Sequence, residues 1–376
     1  MEIKVRTERL ILAVCVLSMA WCCVSACGEE NGRPPLYNDW EITERTPLLD
    51  AQGGLAAWGW SRRPLMELRR VSIPESAKPR YKEWDFYAIS SPECYLELTL
   101  ANISWAVLAS VIFIDYQTQE TSMNLQLGQD ADALVLPADP YESVTYDTLG
   151  RHLAFSYSEK VRTLTFDFPK TLLVGPSMRG AIRIQDDPNE ENLATAMPFD
   201  APGSFFYTNK MVALPASGSV EVAGKAHSFP SGQSFAVLDW GRGVWPSEFA
   251  WGWAVGAGMA DGKRVGFNIG FGDEDNARAS GNSVVVDGIL HKLGKIDWTW
   301  TKNAIMQPWH FKSEDQRFDV MLEPAFDQSG EVDLGKYYAN LTKVHGKASG
   351  RVVLDDGTAI AIKGLLAFAE HAVQRW

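Results

Sequence analysis

The sequence predicts an all-β protein made of antiparallel barrels or sandwiches, with short helices at the ends. Three observations carry this reading. Strand-type patterns recur along most of the chain with turn residues between them, and helical periodicity almost never outlasts two turns. Asp-Gly dipeptides also stand between apolar runs, where a two-residue hairpin turns most readily.

Taken in order, Trp84 to Ile89, Tyr95 to Ile103 and Ala106 to Tyr116 read as apolar strands. Arg162 to Phe168 alternates strictly, which places Leu164, Phe166 and Phe168 on one face. The pattern breaks between Asp186 and Gly203, where acidic residues, Pro188, Pro198 and Pro202 interrupt it. The expected division is an N-terminal β domain over 41–200 and a C-terminal β domain over 201–376. Each half suits one barrel of about eight strands. Hairpins are expected across Asp261-Gly262, between Trp251 to Met259 and Arg264 to Phe271, and across Asp356-Gly357. In the closing stretch Gly364 to Trp376, the spacing of Leu365, Leu366, Phe368, Ala369, Ala372 and Val373 fits a short packing helix.

The N-terminus has the order of a secretory signal over residues 1–26. Lys4, Arg6 and Arg9 supply positive charge, and an uncharged run follows from Leu10 to Trp21. That run is about half of the roughly 20 residues that span a bilayer. Val24-Ser25-Ala26-Cys27 resembles the bacterial lipobox, which makes Cys27 the residue expected to carry lipid. Residues 27–40, with Pro34-Pro35, then form a tether. Gly28 stands where Asp would signal inner-membrane retention, so the expected place is the outer membrane, facing the periplasm; plain secretion is the alternative. The expected membrane contact is the lipid anchor.

Composition narrows the partners. The chain holds 47 acidic and 35 basic residues, a net charge of −12. A surface that acidic argues against nucleic acid. Of the 5 cysteines, Cys15, Cys22 and Cys23 fall in the signal and Cys27 takes the lipid. Only Cys94 would remain, so the body must be stabilised by its own core rather than by a disulfide, and Cys94 reads as a small core residue.

Signatures of several enzyme classes are missing: there is no Gly-x-Ser-x-Gly elbow, no phosphate-binding loop and no Cys-x-x-Cys pair. The 6 histidines are scattered singly, so neither a metal site nor a cofactor is expected. Gly270 to Asp275 reads as an acidic turn rather than a calcium loop.

Three clusters are candidates for ligand contact. In the first, Phe235-Ala236-Val237-Leu238 ends in Asp239-Trp240-Gly241-Arg242, followed by Trp245, Trp251 and Trp253. Indoles offer flat apolar area with one donor, which suits extended hydrophobic molecules. Asp239 is the candidate acid, and Asp239 with Arg242 reads either as ligand contact or as a local ion pair. In the second, Lys82, Trp84 and Tyr87 alternate with other charges and aromatics, either into a lumen or along a solvated edge. In the third, Glu370-His371 is either an acid/base pair or a terminal polar face.

Pro47-Leu48-Leu49-Asp50, Gly59-Trp60-Ser61-Arg62-Arg63-Pro64, Lys82-Glu83-Trp84-Asp85-Phe86-Tyr87, Leu238-Asp239-Trp240-Gly241-Arg242-Gly243 and Phe368-Ala369-Glu370-His371 resemble the domain of unknown function 2804 family. More remotely, Gly218 to Lys225 leading to Asp239-Trp240-Gly241 is similar to carotenoid hydratases, kievitone-hydratase-type proteins and tocopherol cyclase. That resemblance implies two lipocalin-like barrels and, in some members, a carboxylic acid that protonates an alkene in an apolar cavity. Of that group's Trp-Met-Asp-His stretch only Asp239 carries over. Three functions follow as expectations: a membrane-tethered binder of a lipid or other hydrophobic small molecule, a hydratase- or cyclase-like enzyme acting on an isoprenoid or fatty chain, or a structural envelope protein.

Overall fold

Among the described residues, two large antiparallel sheets, each curled over its own apolar core, form the body of the protein, and Thr46–Pro47 and Met66–Glu67 pair as a small parallel sheet. The computed structural model describes residues 40–171, 174–201, 203–272, 280–333 and 338–375. The expected signal over 1–26, Cys27, all but the last residue of the 27–40 tether, and the 273–275 half of the Gly270–Asp275 turn lie outside the described residues. Among the described residues no helix is long and apolar enough to cross a membrane.

The first sheet has Tyr81–Ser90, Cys94–Asn102, Val107–Asp115 and Glu120–Gly128 on one side. The long strands Lys225–Val244 and Phe205–Val222 form its middle, Met178–Gln185, Val161–Phe168, Arg151–Ser158 and Val144–Thr148 form the other side, and Leu193–Pro198 pairs with Phe205–Val222 and with Gly59–Ser61. The second sheet is centred on Glu248–Ala260, Ala359–Arg375 and Tyr338–Val353, flanked by Lys263–Gly272 on one side and Phe318–Asp327 on the other. The expected strands are all present. Asp261 and Gly262 have φ of +48° and +75°, the pair of positive values that a two-residue hairpin turn requires, and they join Glu248–Ala260 to Lys263–Gly272.

Alternation explains the cores. Leu164, Phe166 and Phe168 point inward with Leu98, Leu100, Val111, Phe113, Tyr207 and Trp240 in the first sheet. Phe267, Trp309, Phe311, Phe318, Val320 and Ile362 fill the second. A third apolar layer lies between the sheets, where Ala88, Tyr95, Ile114, Val212 and Val237 meet Trp253, Val255, Phe326 and Phe368. Each large apolar side chain so buried stabilises the fold by about 1.5–3 kcal/mol. Cys94 joins the first core, and its burial pushes the thiol up to about 11.

Two expectations change. The expected C-terminal helix is instead part of the strand Ala359–Arg375, with Leu365, Ala367 and Ala369 on one face and Leu366, Phe368 and Glu370 on the other. Consecutive apolar residues there reflect burial of both faces, which mimics helical spacing. The chain changes sheets at residues 245–247, downstream of the break near residue 200, because Phe205–Val222 and Lys225–Val244 are bonded into the first sheet.

Candidate functional site between the sheets

Strand parity sorts the candidate residues. In Lys225–Val244 the side chains of Val237 and Asp239 face the second sheet, whereas Leu238, Trp240 and Arg242 face the first sheet's core. Asp239 and Arg242 are three positions apart and therefore lie on opposite faces. Of the two readings of this pair, the ion pair does not form, and Asp239 lies within the strand rather than at its end. Arg242 is fully buried: its Nη2 donates to Asp85 Oδ1 at 2.9 Å and to the Pro137 carbonyl at 2.7 Å, and Nη1 donates to the Trp84 carbonyl at 2.7 Å. Its guanidinium stacks 4.0 Å from the Trp240 ring centre.

Tyr87 lies on the same inner face, where its hydroxyl accepts from Arg162 Nη1 at 3.1 Å and its ring meets Phe155. Trp240, Arg242 and Tyr87 are thus core residues and do not line the space between the sheets. His371 is separated from Glu370 by the same parity rule; its ring lies 5.6 Å from Trp300, on the other face, so the two are not an acid/base pair.

The remaining candidates converge. Lys82, Trp84, Asp239, Trp245, Trp251, Trp253 and Glu370 all line one cavity of ≈ 360 Å³ between the sheets. The interior of each sheet is filled by side chains, so the space expected inside a barrel lies between the two instead.

One end of the cavity is aromatic. Trp84 stacks on Phe206 with centroids 5.4 Å apart, Trp245 packs at 4.9 Å from Phe206, and Phe249 bridges Trp245 to Trp251. Gly241 is what lets Trp84 lie flat on the sheet: a Cβ there would come within 2.3 Å of the indole. Lys82 lines the cavity at this end, where burial and the nearby Arg80 charge lower its ammonium to about 7.

The other end is polar. Lys210 Nζ lies 2.6 Å from Asp239 Oδ1 and 4.4 Å from the Trp253 ring centre. Thr208 Oγ1 donates to the same Asp239 oxygen at 3.1 Å. Lys343 Nζ donates to Glu97 Oε2 at 2.8 Å, and the Tyr95 hydroxyl donates to that oxygen at 2.9 Å. Glu370 Oε1 accepts from Trp251 Nε1 at 3.0 Å, while its Oε2 stands 3.7 Å from Lys343 Nζ, beyond hydrogen-bond reach. Burial holds the Glu370 carboxyl above the usual carboxylate range, against the pull of Lys343. Trp253 Nε1 donates to Asn268 Oδ1 at 2.8 Å, which fixes the indole in the wall.

Glu97, Lys210 and Lys343 were not among the candidates read from the sequence. Glu97 is a single charge between apolar neighbours, Leu96-Glu97-Leu98, whereas Lys210 lies between Asn209 and Met211 and Lys343 between Thr342 and Val344; each is a lone charge within a strand. Such a charge must be paired when the strand is buried on both faces, and that is the signal that marks it. Among the described residues no three His, Cys, Asp or Glu side chains gather as metal ligands.

No curated protein matches the sequence. Among solved structures, CghA is similar with a TM-score of 0.54 at 10% identity, over 86% of this chain and 97% of that one. CghA with Sch210972 gives 0.52 at 10% identity, over 78% and 88%. Kievitone hydratase from Nectria haematococca gives 0.41 at 11% identity, over 78% and 88%. The likeness to CghA is one of fold. Residues 39–376 match the model of the family described as Domain of unknown function (DUF2804), and the chain belongs to that family.

Proposed function

We propose that this protein binds a lipid or other hydrophobic small molecule in the cavity between its sheets, tethered to the cell envelope through an acylated Cys27. The observation that carries the binding reading is the cavity itself. Its ≈ 360 Å³ lies within the range of about 300–1,000 Å³ usual for small-molecule sites, and aromatic rings line one end. A purely structural envelope protein has no need of such a space. The test is native mass spectrometry with lipid extraction of protein purified from its own host, together with intrinsic fluorescence. Trp84, Trp245, Trp251 and Trp253 line the cavity, so long-chain ligands should shift the emission. No extracted ligand and no shift with any long-chain probe would refute binding. For the anchor, Cys27→Ser should lose palmitate labelling and membrane association; unchanged detergent partitioning would refute it.

A second reading is favoured by Glu370, buried and facing the cavity. A protonated Glu370 would give its proton to an alkene carbon, water would add to the resulting cation, and the surplus proton would return to the carboxylate. Glu370 suits this role better than Asp239, which is bonded to Lys210 at 2.6 Å. Glu370→Gln should then lose turnover by orders of magnitude and keep ligand affinity.

A further inference from the structure

Resting on the binding reading above, we propose that the cavity's ligand is an amphiphile with an uncharged polar head, a hydroxyl or carbonyl, seated among Lys210, Lys343 and Glu370. Its hydrocarbon body would run between Trp84, Trp245 and Trp251.

The two ends follow from strand register. On the first sheet, Gly243 pairs with Lys82 and Phe206, Gly241 with Trp84 and Thr208, and Asp239 with Phe86 and Lys210. On the second, Glu370 pairs with Trp253 and Lys343, and one step along the strands Ala372 pairs with Trp251 and Leu341. The charged groups thus occupy one level of both sheets, together with Phe86 and Trp253, and the next level carries Trp84 on the first sheet and Trp251 on the second. A ligand filling this space meets rings along its length and the Lys210, Lys343 and Glu370 groups at one end, with Lys82 beyond the rings at the other.

The head's charge follows from the balance at that end. Each ammonium is already matched, Lys210 with Asp239 at 2.6 Å and Lys343 with Glu97 at 2.8 Å. Glu370 is the third acid of this end; the Lys343 ammonium stands 3.7 Å from its Oε2, near enough to attract it but beyond hydrogen-bond reach. Burial and the neighbouring Glu97 carboxylate favour the neutral form of Glu370, and in that form the pole carries no net charge. A ligand carboxylate would be buried beside Asp239 and Glu97 without a free cation, and an ammonium would meet Lys210 and Lys343. Either leaves an uncompensated charge out of water. A hydroxyl or carbonyl takes hydrogen bonds from the acid and the ammonium groups without disturbing either pair. Lys82, at the aromatic end, lies away from this balance.

The test uses three probes that share one tail: dodecanol, dodecanoate and dodecylamine. Each competes with an environment-sensitive naphthylamine dye for the full-length protein at neutral pH. Dodecanol should displace the dye at concentrations at least tenfold below those of either charged probe. Equal or tighter binding of dodecanoate or dodecylamine would overturn the neutral head while leaving cavity binding intact. Failure of the dye and all three probes to bind would overturn the binding reading itself. Asp239→Asn then removes the charge that matches Lys210, so dodecanoate should gain at least tenfold relative to dodecanol. An unchanged ranking in the folded variant would overturn the assignment of the pole. Should Asp239→Asn not fold, Glu97→Gln applies the same test at Lys343, and the wild-type ranking decides the head charge without any variant.

Discussion

Replacing Arg242 by Met tests the parity that separates core from cavity. The side chain is fully buried, ion-paired with Asp85 at 2.9 Å, hydrogen-bonded to the carbonyls of Trp84, Pro137 and Gly241, and stacked on Trp240. Met fills much of the volume but leaves Asp85 buried without its cation. Breaking a buried pair in this way costs about 3–5 kcal/mol. Orphaned carbonyls add to that at about 1–3 kcal/mol each. Protonation of Asp85 caps the total, because a neutral acid is far cheaper to bury than a carboxylate. The expected loss is at least about 4 kcal/mol, a large part of the usual stability of about 5–15 kcal/mol, so the comparison is made under conditions where both proteins fold.

Urea denaturation followed by tryptophan fluorescence and circular dichroism measures this loss. The pH dependence has a definite sign. Without Arg242, Asp85 binds a proton more tightly folded than unfolded, where its ordinary value is 3.8. The deficit should therefore shrink as pH falls and grow as pH rises through the folded value. Ligand affinity should stay within twofold of wild type, since Arg242 faces away from the cavity. A loss below about 1 kcal/mol, the scale of a surface pair, would refute the buried-pair reasoning. A threefold or larger loss of affinity in a folded variant would refute the parity assignment.

Further outcomes follow from the cavity and its surroundings. Gly241→Val should push the Trp84 indole into the cavity and weaken ligand binding at least fivefold, at about 1–3 kcal/mol of stability; unchanged affinity would show that Trp84 does not border the bound molecule. The folded state holds the Glu370 proton more tightly than the unfolded state, so stability should fall as pH rises from the ordinary value of 4.5 through the folded value. Glu370→Gln should flatten that slope, and an identical pH profile in the variant would count against the raised acid. Cys94, with its thiol at about 11, should resist iodoacetamide in native protein and react in denaturant, as read by peptide mapping. Rapid native labelling would show that its strand opens.

Much of the site was legible as residue types but not as a place. Trp84, Trp245, Trp251, Trp253, Asp239 and Glu370 stood out by aromatic density and by charge within apolar surroundings, and they do meet. Trp240, Arg242 and Tyr87 stood out by the same signals and turn inward. Composition could not separate the two sets, because both faces of Tyr81–Ser90 and of residues 234–244 in Lys225–Val244 are largely buried and neither stretch carries a solvent-polar pattern. Glu97, Lys210 and Lys343 come from strands far apart in the chain, and nothing local links them.

By itself the sequence determined the antiparallel strands and the Asp261-Gly262 hairpin. These depend on a two-residue side-chain period and on turn chemistry, which act over a few residues. Only the tertiary structure decided which face of each strand looks into the cavity, that Lys210 rather than Arg242 partners Asp239, and that the closing segment is a strand. Those outcomes depend on register between distant strands and on packing two curled sheets face to face. Such contacts exist only after both sheets have formed, and no local pattern encodes them.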